Sequence, residues 1–283
     1  MIETLIEQIR ATGTHLFSLT AMEDGNAQTF LFYPANPCND TYSVAKVFTM
    51  TAIGLCFDRK IIKPSDKITD IFCAQLPAGI DPRWAEVTID DVLRHRMGIA
   101  KGFLDIDVED MTTYPSHDFL SLILRTKLDY TPGEHYCYSD AAYYLLSRVV
   151  TAVSGEGLDN LLMREILLPT GCREAGWSKC PMGYAMGATG LYIRSTDIAR
   201  LGQLYLNRGV WEGRRLLSAE WIELAEARGY SLTRRDNGAY TKGGMRGQMF
   251  YYNLTTGRAV GWLSYDTESR SQQILKLLVE NHY

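Results

Sequence analysis

Segments with strand character lie at both ends of the chain and helices lie between them, which narrows the folds open to it. Near the start, residues 16–19 and 29–33 are short β-prone runs separated by Glu23-Asp24-Gly25-Asn26, a stretch of turn-forming residues, so a β-hairpin is expected. From about Tyr240 the strand pattern returns at 247–253 and 258–265, with a turn at 254–257, before an amphipathic helix over 269–280. A second amphipathic helix opens the chain, with Ile2, Leu5, Ile6 and Ile9 on one face. The middle reads as helical: 43–59, a helix capped by Thr88 with Asp91 at its third position and ended by Gly98, then 118–126, 141–154 stopped by Gly155, 158–168, and a periodic helix capped by Ser195. No internal repeat or low-complexity linker divides these segments. The economical architecture is therefore α+β, with a sheet domain built from residues 1–60 together with 228–283 and a helical domain, 61–227, inserted between them. A ligand cleft belongs at their seam.

Composition excludes several classes of function. With 283 residues, 46% of them hydrophobic, the chain can build a large core, and its net charge of -4 and pI near 5.8 argue against nucleic acid or an anionic membrane surface as partner. The first residues lack the basic start and apolar run of a signal peptide, and residues 141–153, interrupted by Ser147 and Arg148, are too short to span a bilayer, so a cytoplasmic protein is expected. Six cysteines without a C-x-x-C pair read as reduced thiols. Five histidines without H-x-x-x-H spacing imply no metal, and no motif implies a cofactor or an oligomeric state.

Residues 41–57 hold the first candidate for chemistry. Ser43 and Lys46 stand three apart at the head of an apolar helix, so hydroxyl and ammonium share one face, beside free backbone N–H groups at the positive end of the helix dipole. An ordinary N-cap serine followed by a first-turn lysine is the competing account. As a nucleophile Ser43 needs a proton acceptor. Lys46 serves only if its pKa falls well below about 10.4; otherwise it stays charged beside a tyrosine that takes the proton. Tyr138, in Tyr138-Ser139-Asp140 where a turn meets a helix, is a candidate for that tyrosine or else a structural aromatic.

Lys242-Gly243-Gly244 leads into a strand, and its glycines allow close backbone approach to a ligand, with the Met245 N–H free for an oxyanion; a plain glycine turn is the alternative. Neither a phosphate-loop pattern nor a G-x-S-x-G elbow is present. Cys137 with His135 is a weaker rival dyad, and His95 reads as a hydrogen-bonding residue at a helix end. The acidic loop 100–115, with Asp105, Asp107, Glu109 and Asp110, reads as solvated, or else as the mouth of a cleft.

Taken in order, Ser-x-x-Lys at a helix start, Tyr-x-Asp before another helix and Lys-Gly-Gly before a strand resemble the serine β-lactamase and penicillin-binding superfamily. The likeness is nearest to its class C β-lactamase-related group, which includes DD-peptidases, family VIII esterases and 6-aminohexanoate-dimer hydrolases. Further segments share it: Val87-Thr-Ile-Asp-Asp-Val-Leu-Arg-His-Arg-Met-Gly-Ile, Pro132-Gly-Glu-His-Tyr-Cys-Tyr-Ser-Asp, Gly190-Leu-Tyr-Ile-Arg-Ser-Thr-Asp and Gly209-Val-Trp-Glu-Gly-Arg-Arg-Leu-Leu. The resemblance implies a β-lactamase/transpeptidase-like fold, an antiparallel sheet flanked by the terminal helices with an inserted all-helical domain. It implies Ser43 as acyl-forming nucleophile, Lys46 as its partner in proton transfer, Tyr138 as base, and Lys242, Gly243 and Gly244 as the third motif. The N–H groups of Ser43 and Met245 would form the oxyanion hole. The implied partner is a small-molecule ester, amide or β-lactam. Two departures bear on substrate. Asp140 stands where asparagine is frequent, and would pair with Lys46 and hold it protonated. Gly243 lacks a hydroxyl that helps bind a β-lactam carboxylate, which favours esterase or amidase activity. A module that acylates without turnover is the alternative function.

Overall fold

The computed structural model describes residues 2–282. Helix α1 (Ile2–Ala11) precedes the expected hairpin, β1 (Leu16–Glu23) and β2 (Asn26–Leu31), turned by Asp24 and Gly25 at φ 49° and 80°. Two consecutive positive φ values are what a tight two-residue hairpin needs. The chain continues through β3 (Asn39–Asp40), α2 (Ala45–Asp58), α3 (Ile68–Ile71), α4 (Ile89–Leu93), α5 (Phe119–Leu124), α6 (Asp140–Ser154) and α7 (Leu158–Leu162). Strands β4 (Gly176–Trp177) and β5 (Leu191–Ile193), helix α8 (Ser195–Leu206), strands β6 (Val210–Trp211) and β7 (Arg214–Arg215), and helix α9 (Ala219–Arg228) follow. The last part holds β8 (Thr233–Arg234), β9 (Ala239–Gly243), β10 (Met249–Asn253), β11 (Arg258–Ser264) and α10 (Ser271–Glu280).

Six strands form one antiparallel sheet in the order β2-β1-β11-β10-β9-β8, so the first and last strands of the chain lie side by side. Leu19 opposes Trp262 and Ala21 opposes Val260 across that junction. Successive side chains point to opposite faces. On β10 and β11, Met249, Tyr251, Val260 and Trp262 meet Leu5, Ile9, Ile274 and Leu278 of α1 and α10, while Phe250, Tyr252, Ala259 and Leu263 join the main core with α8. A sheet covered on both faces explains why all of Met249–Asn253 is buried and why the strands show no polar alternation. The fold is α+β, with an antiparallel sheet flanked by terminal helices, as expected.

Several elements differ from the sequence reading. Tyr42–Val44 is a 3-10 turn and the α-helix begins at Ala45, with Tyr42 at φ 46°. The capping box of Thr88 and Asp91 is present, but its helix stops at Leu93, five residues before Gly98. Ser195 is the first helical residue of α8 rather than its cap, because its hydroxyl bonds Thr20 Oγ1 of the sheet at 3.0 Å. Helix α8 falls within residues 61–227 in sequence, yet lies across β11, β1 and β10. The 158–168 helix changes to a π turn over Met163–Leu167.

Helix α8 sits close on the sheet because Gly261 has no side chain: a methyl there would come within 2.7 Å of both Ile198 Cβ and the Ser195 carbonyl oxygen. Gly261→Ala is therefore expected to destabilise the protein by about 2–3 kcal/mol, read as a lowered urea midpoint at unchanged slope. A midpoint equal to that of the wild type would show that α8 can ride up at no cost.

Candidate active site

Helix α2 is the centre of the helical region and is buried on every side, from Ala45 to Cys56. Its lysine is buried with it: Lys46 is 0% exposed. A buried ammonium must have its three donors met. Lys46 Nζ donates to Asp140 Oδ1 at 2.7 Å, to Ser43 Oγ at 3.0 Å and to the Ala188 carbonyl at 3.0 Å. Burial acts to lower the lysine pKa, but the Asp140 carboxylate, helped by Tyr138, outweighs it and holds the group above the ordinary lysine range.

Asp140 is the first residue of α6, whose cap is Ser139, with Oγ accepting the Ala141 N–H at 3.2 Å. The extended backbone at Ser139 sends Tyr138, 40% exposed, back over the serine, and its hydroxyl lies 2.7 Å from Ser43 Oγ. Ser43 thus contacts both sequence-predicted proton-transfer partners. Lys242, half-buried on β9, places Nζ 5.0 Å from the Tyr138 ring centroid, with Lys46 Nζ 4.8 Å from the same ring. Burial and then the charge of Lys46 push Lys242 down to about 7.

The third motif reaches the serine through Gly244. Its φ of -116° is open to any residue, so space is the constraint: a methyl at Gly244 would lie 2.4 Å from the Thr41 carbonyl oxygen, two residues before Ser43. Met245 then opens a 3-10 turn, Met245–Gly247, as Ser43 lies in another, and the first N–H groups of such turns have no acceptor within the turn. Gly243 ends β9 and is exposed. A non-glycine residue at positive φ lies within each turn, Tyr42 at 46° and Arg246 at 60°, a strained conformation frequent at functional sites.

The acidic loop is not simply solvated. Carboxylate oxygens of Asp105, Asp107 and Asp140 lie within 4.8 Å of one another, and Asp107 Oδ2 accepts from Thr189 Oγ1 at 2.6 Å. Burial, opposed by that hydrogen bond and reinforced by Asp40, Asp105 and Asp140, raises Asp107 to about 6. The rival dyad does not form: the His135 ring stacks on Tyr130 at 3.9 Å, and the Cys137 thiol is pushed up by burial.

The β-lactamase family profile matches residues 33–280. The chain belongs to the β-lactamase family. Among solved structures, a Bacillus anthracis protein provisionally identified as a 6-aminohexanoate-dimer hydrolase superposes with a TM-score of 0.82 at 16% identity, covering 98% of this chain and 81% of the other. A penicillin-binding protein homologue from Caulobacter crescentus gives 0.77 at 15% identity, covering 99% and 96%. EstCE1, a hydrolase with promiscuous acyltransferase activity, gives 0.74 at 15%, covering 98% of each chain. At these identities the likeness is one of fold. In sequence, an Escherichia coli O157:H7 protein provisionally named a D-alanyl-D-alanine carboxypeptidase is 27% identical over 37% of this chain and 34% of its own length. The chain thus spans about a third of the length of this curated relative. Among the described residues of this family member, no helix is long and apolar enough to cross a membrane.

The charges around the serine make two stability predictions. Because Lys46 is raised in the folded state, the stability from its pairing with Asp140 is fully present below about pH 10 and lost as pH rises through the folded value. Asp140→Asn is expected to cost about 3 kcal/mol at pH 7, a deficit that narrows only above about pH 10 in urea titrations. Asp107 is also raised, but for a carboxylate that is a penalty, complete above about pH 6 and gone by about pH 4. Asp107→Asn should stabilise by about 1 kcal/mol at pH 8, after allowance for screening of this half-buried group, with the gain vanishing toward pH 4.

Proposed function

We propose that this chain is a serine hydrolase that forms an acyl-enzyme on Ser43 with a small ester or amide. The observation that carries the reading is the double contact of Ser43 Oγ, 3.0 Å from Lys46 Nζ and 2.7 Å from Tyr138 Oη. Both are within the reach required of a nucleophile and its base.

On this reading Tyr138 is the base and Lys46 the fixed cation. Lys46 already spends its three N–H groups on three acceptors, so it cannot accept the serine proton without first giving up one of its own. With Tyr138 acting as phenolate, its charge balanced by Lys46 and Lys242, Ser43 Oγ attacks the carbonyl carbon as its proton passes to Tyr138 Oη, and negative charge moves onto the carbonyl oxygen. On this reading the N–H groups of Ser43 and Met245, each within a 3-10 turn, receive that oxygen. Tyr138 then protonates the leaving alcohol or amine. In the second half, a water gives its proton to Tyr138 and attacks the acyl carbon, and Tyr138 returns that proton to Ser43 Oγ as the acid is released. Lys242, beside the Tyr138 ring, balances the phenolate charge that is present before each proton is taken and after it is given up. The partial exposure of Tyr138 gives leaving group and water access to it.

Ester or amide substrates are favoured over β-lactams because Gly243 contributes no hydroxyl beside Lys242.

Fluorophosphonate is expected to label the wild type and not Ser43→Ala, and p-nitrophenyl acetate turnover should fall by at least about 10³-fold in that variant. Equal labelling of the two proteins would exclude the covalent mechanism. Labelling without turnover of any ester, amide or nitrocefin would identify an acylating module in place of a hydrolase.

A further inference from the structure

His95 has the most unusual setting of any polar side chain near the site. It follows α4 at φ 57°, is 4% exposed, and lies 43 residues before the tyrosine that it touches. The residues on both sides of Tyr138 donate their N–H groups to it: Cys137 to the His95 carbonyl at 2.8 Å, and Ser139 to His95 Nδ1 at 3.3 Å. Between those two hydrogen bonds the Tyr138 ring stacks on the imidazole, with centroids 4.5 Å apart and planes at 30°. Behind the imidazole lies Tyr143, 5.1 Å away, itself fixed by donating to the Leu93 carbonyl at 3.1 Å. A ring that accepts at Nδ1 is the neutral tautomer with its proton on Nε2. Burial, then the charges of Lys242 and Lys46, keep it so. Nε2 has no partner among the described residues. A phenyl ring would stack as well without burying an unpaired donor, so what imidazole adds at this position is the Nδ1 acceptor.

We propose that His95 is a positioning residue for Tyr138: it holds the backbone on either side by two hydrogen bonds and the phenol ring by stacking, so that the hydroxyl meets Ser43. This rests on Tyr138 being the base of the proposed reaction. Its geometric content is separate, since Tyr138 is 40% exposed and, beside the two lysine ammonium groups, no other described aromatic ring stacks on it. Displacement of a base by about 1 Å can cost two orders of magnitude in rate.

The test is a double-mutant cycle on p-nitrophenyl acetate hydrolysis with His95→Ala, His95→Asn and Tyr138→Phe. His95→Ala is expected to lower kcat by about 10–100-fold with KM within about 3-fold. His95→Asn recovers part of that loss, because its amide oxygen can take the Ser139 N–H and asparagine tolerates positive φ. In the Tyr138→Phe background both His95 effects should shrink to less than about 2-fold. Losses that persist undiminished in that background would overturn the proposal, as would wild-type kcat in His95→Ala. Should His95→Ala fail to fold, the cycle between His95→Asn and Tyr138→Phe decides by the same criterion, with a loss of about 3–10-fold expected in the single variant. Inactive Ser43→Ala together with additive His95 effects would remove the positioning role and leave the hydrolase. A fully active Ser43→Ala or Tyr138→Phe would remove the underlying reading itself.

Discussion

The buried pairing of Lys46 with Asp140 is the constraint on which the rest of the site depends. Moving an ammonium and a carboxylate out of water costs several kcal/mol each, and their attraction offsets this only when every donor is met. Here the lysine is met by a carboxylate on α6, a hydroxyl one turn earlier, and the Ala188 carbonyl in the glycine-rich loop before β5. One charged group therefore ties together three segments that are far apart in sequence. Their separation is fixed by hydrogen-bond length rather than by apolar packing, which tolerates sliding. Tyr138, two residues before Asp140, inherits that registry.

The sheet contributes the opposite wall. Because β1 and β11 are neighbours, both ends of the chain are locked into one layer, and β9 is carried to the segment before Ser43 at the close approach of Gly244 to Thr41. The serine turn is thus gripped from both sides, by α6 through Lys46 and by β9 through backbone contact. Positive φ at Tyr42 and Arg246 is the conformational cost of bringing two turn starts together there.

Much of this was legible in the sequence, for identifiable reasons. Ser43 and Lys46 are one turn apart, a local relation that helical geometry converts directly into a contact. Tyr138, Asp140 and Lys242 are legible only through ordered motifs and their family resemblance, since no local pattern says that residues 43, 138 and 242 meet. Strand identity at the two ends followed from β-prone runs and turn residues, whereas burial of both sheet faces did not, because α8 comes from the middle of the chain. Helix α9 has no periodic signal: Ser218 caps it and Gly229 ends it at φ 68°, but its Leu, Ala and Glu content lacks a clean apolar stripe. The loop carrying Asp105 and Asp107 reads by composition as solvated or as the mouth of a cleft. Its acceptance of the Thr189 hydroxyl is a contact across 82 residues that composition cannot express. His95 reads as a helix-end hydrogen-bonder, and the two N–H groups it receives, from Cys137 and Ser139, come from the far side of the acidic loop.

The distribution of charge also bears on which group moves the proton. Two lysines lie within about 5 Å of one phenol ring, and they behave differently. Lys46 is held charged by Asp140, whereas Lys242 has no carboxylate within bonding distance among the described residues and falls to about 7. A third cation beside them would raise the electrostatic cost further, which is a reason for the imidazole of His95 to remain neutral. With Lys46 saturated and His95 facing away from a proton acceptor's role through its occupied Nδ1, Tyr138 as phenolate is the group beside Ser43 that can take a proton without breaking the Lys46–Asp140 pair. The choice of base on the proposed reading follows from hydrogen-bond occupancy.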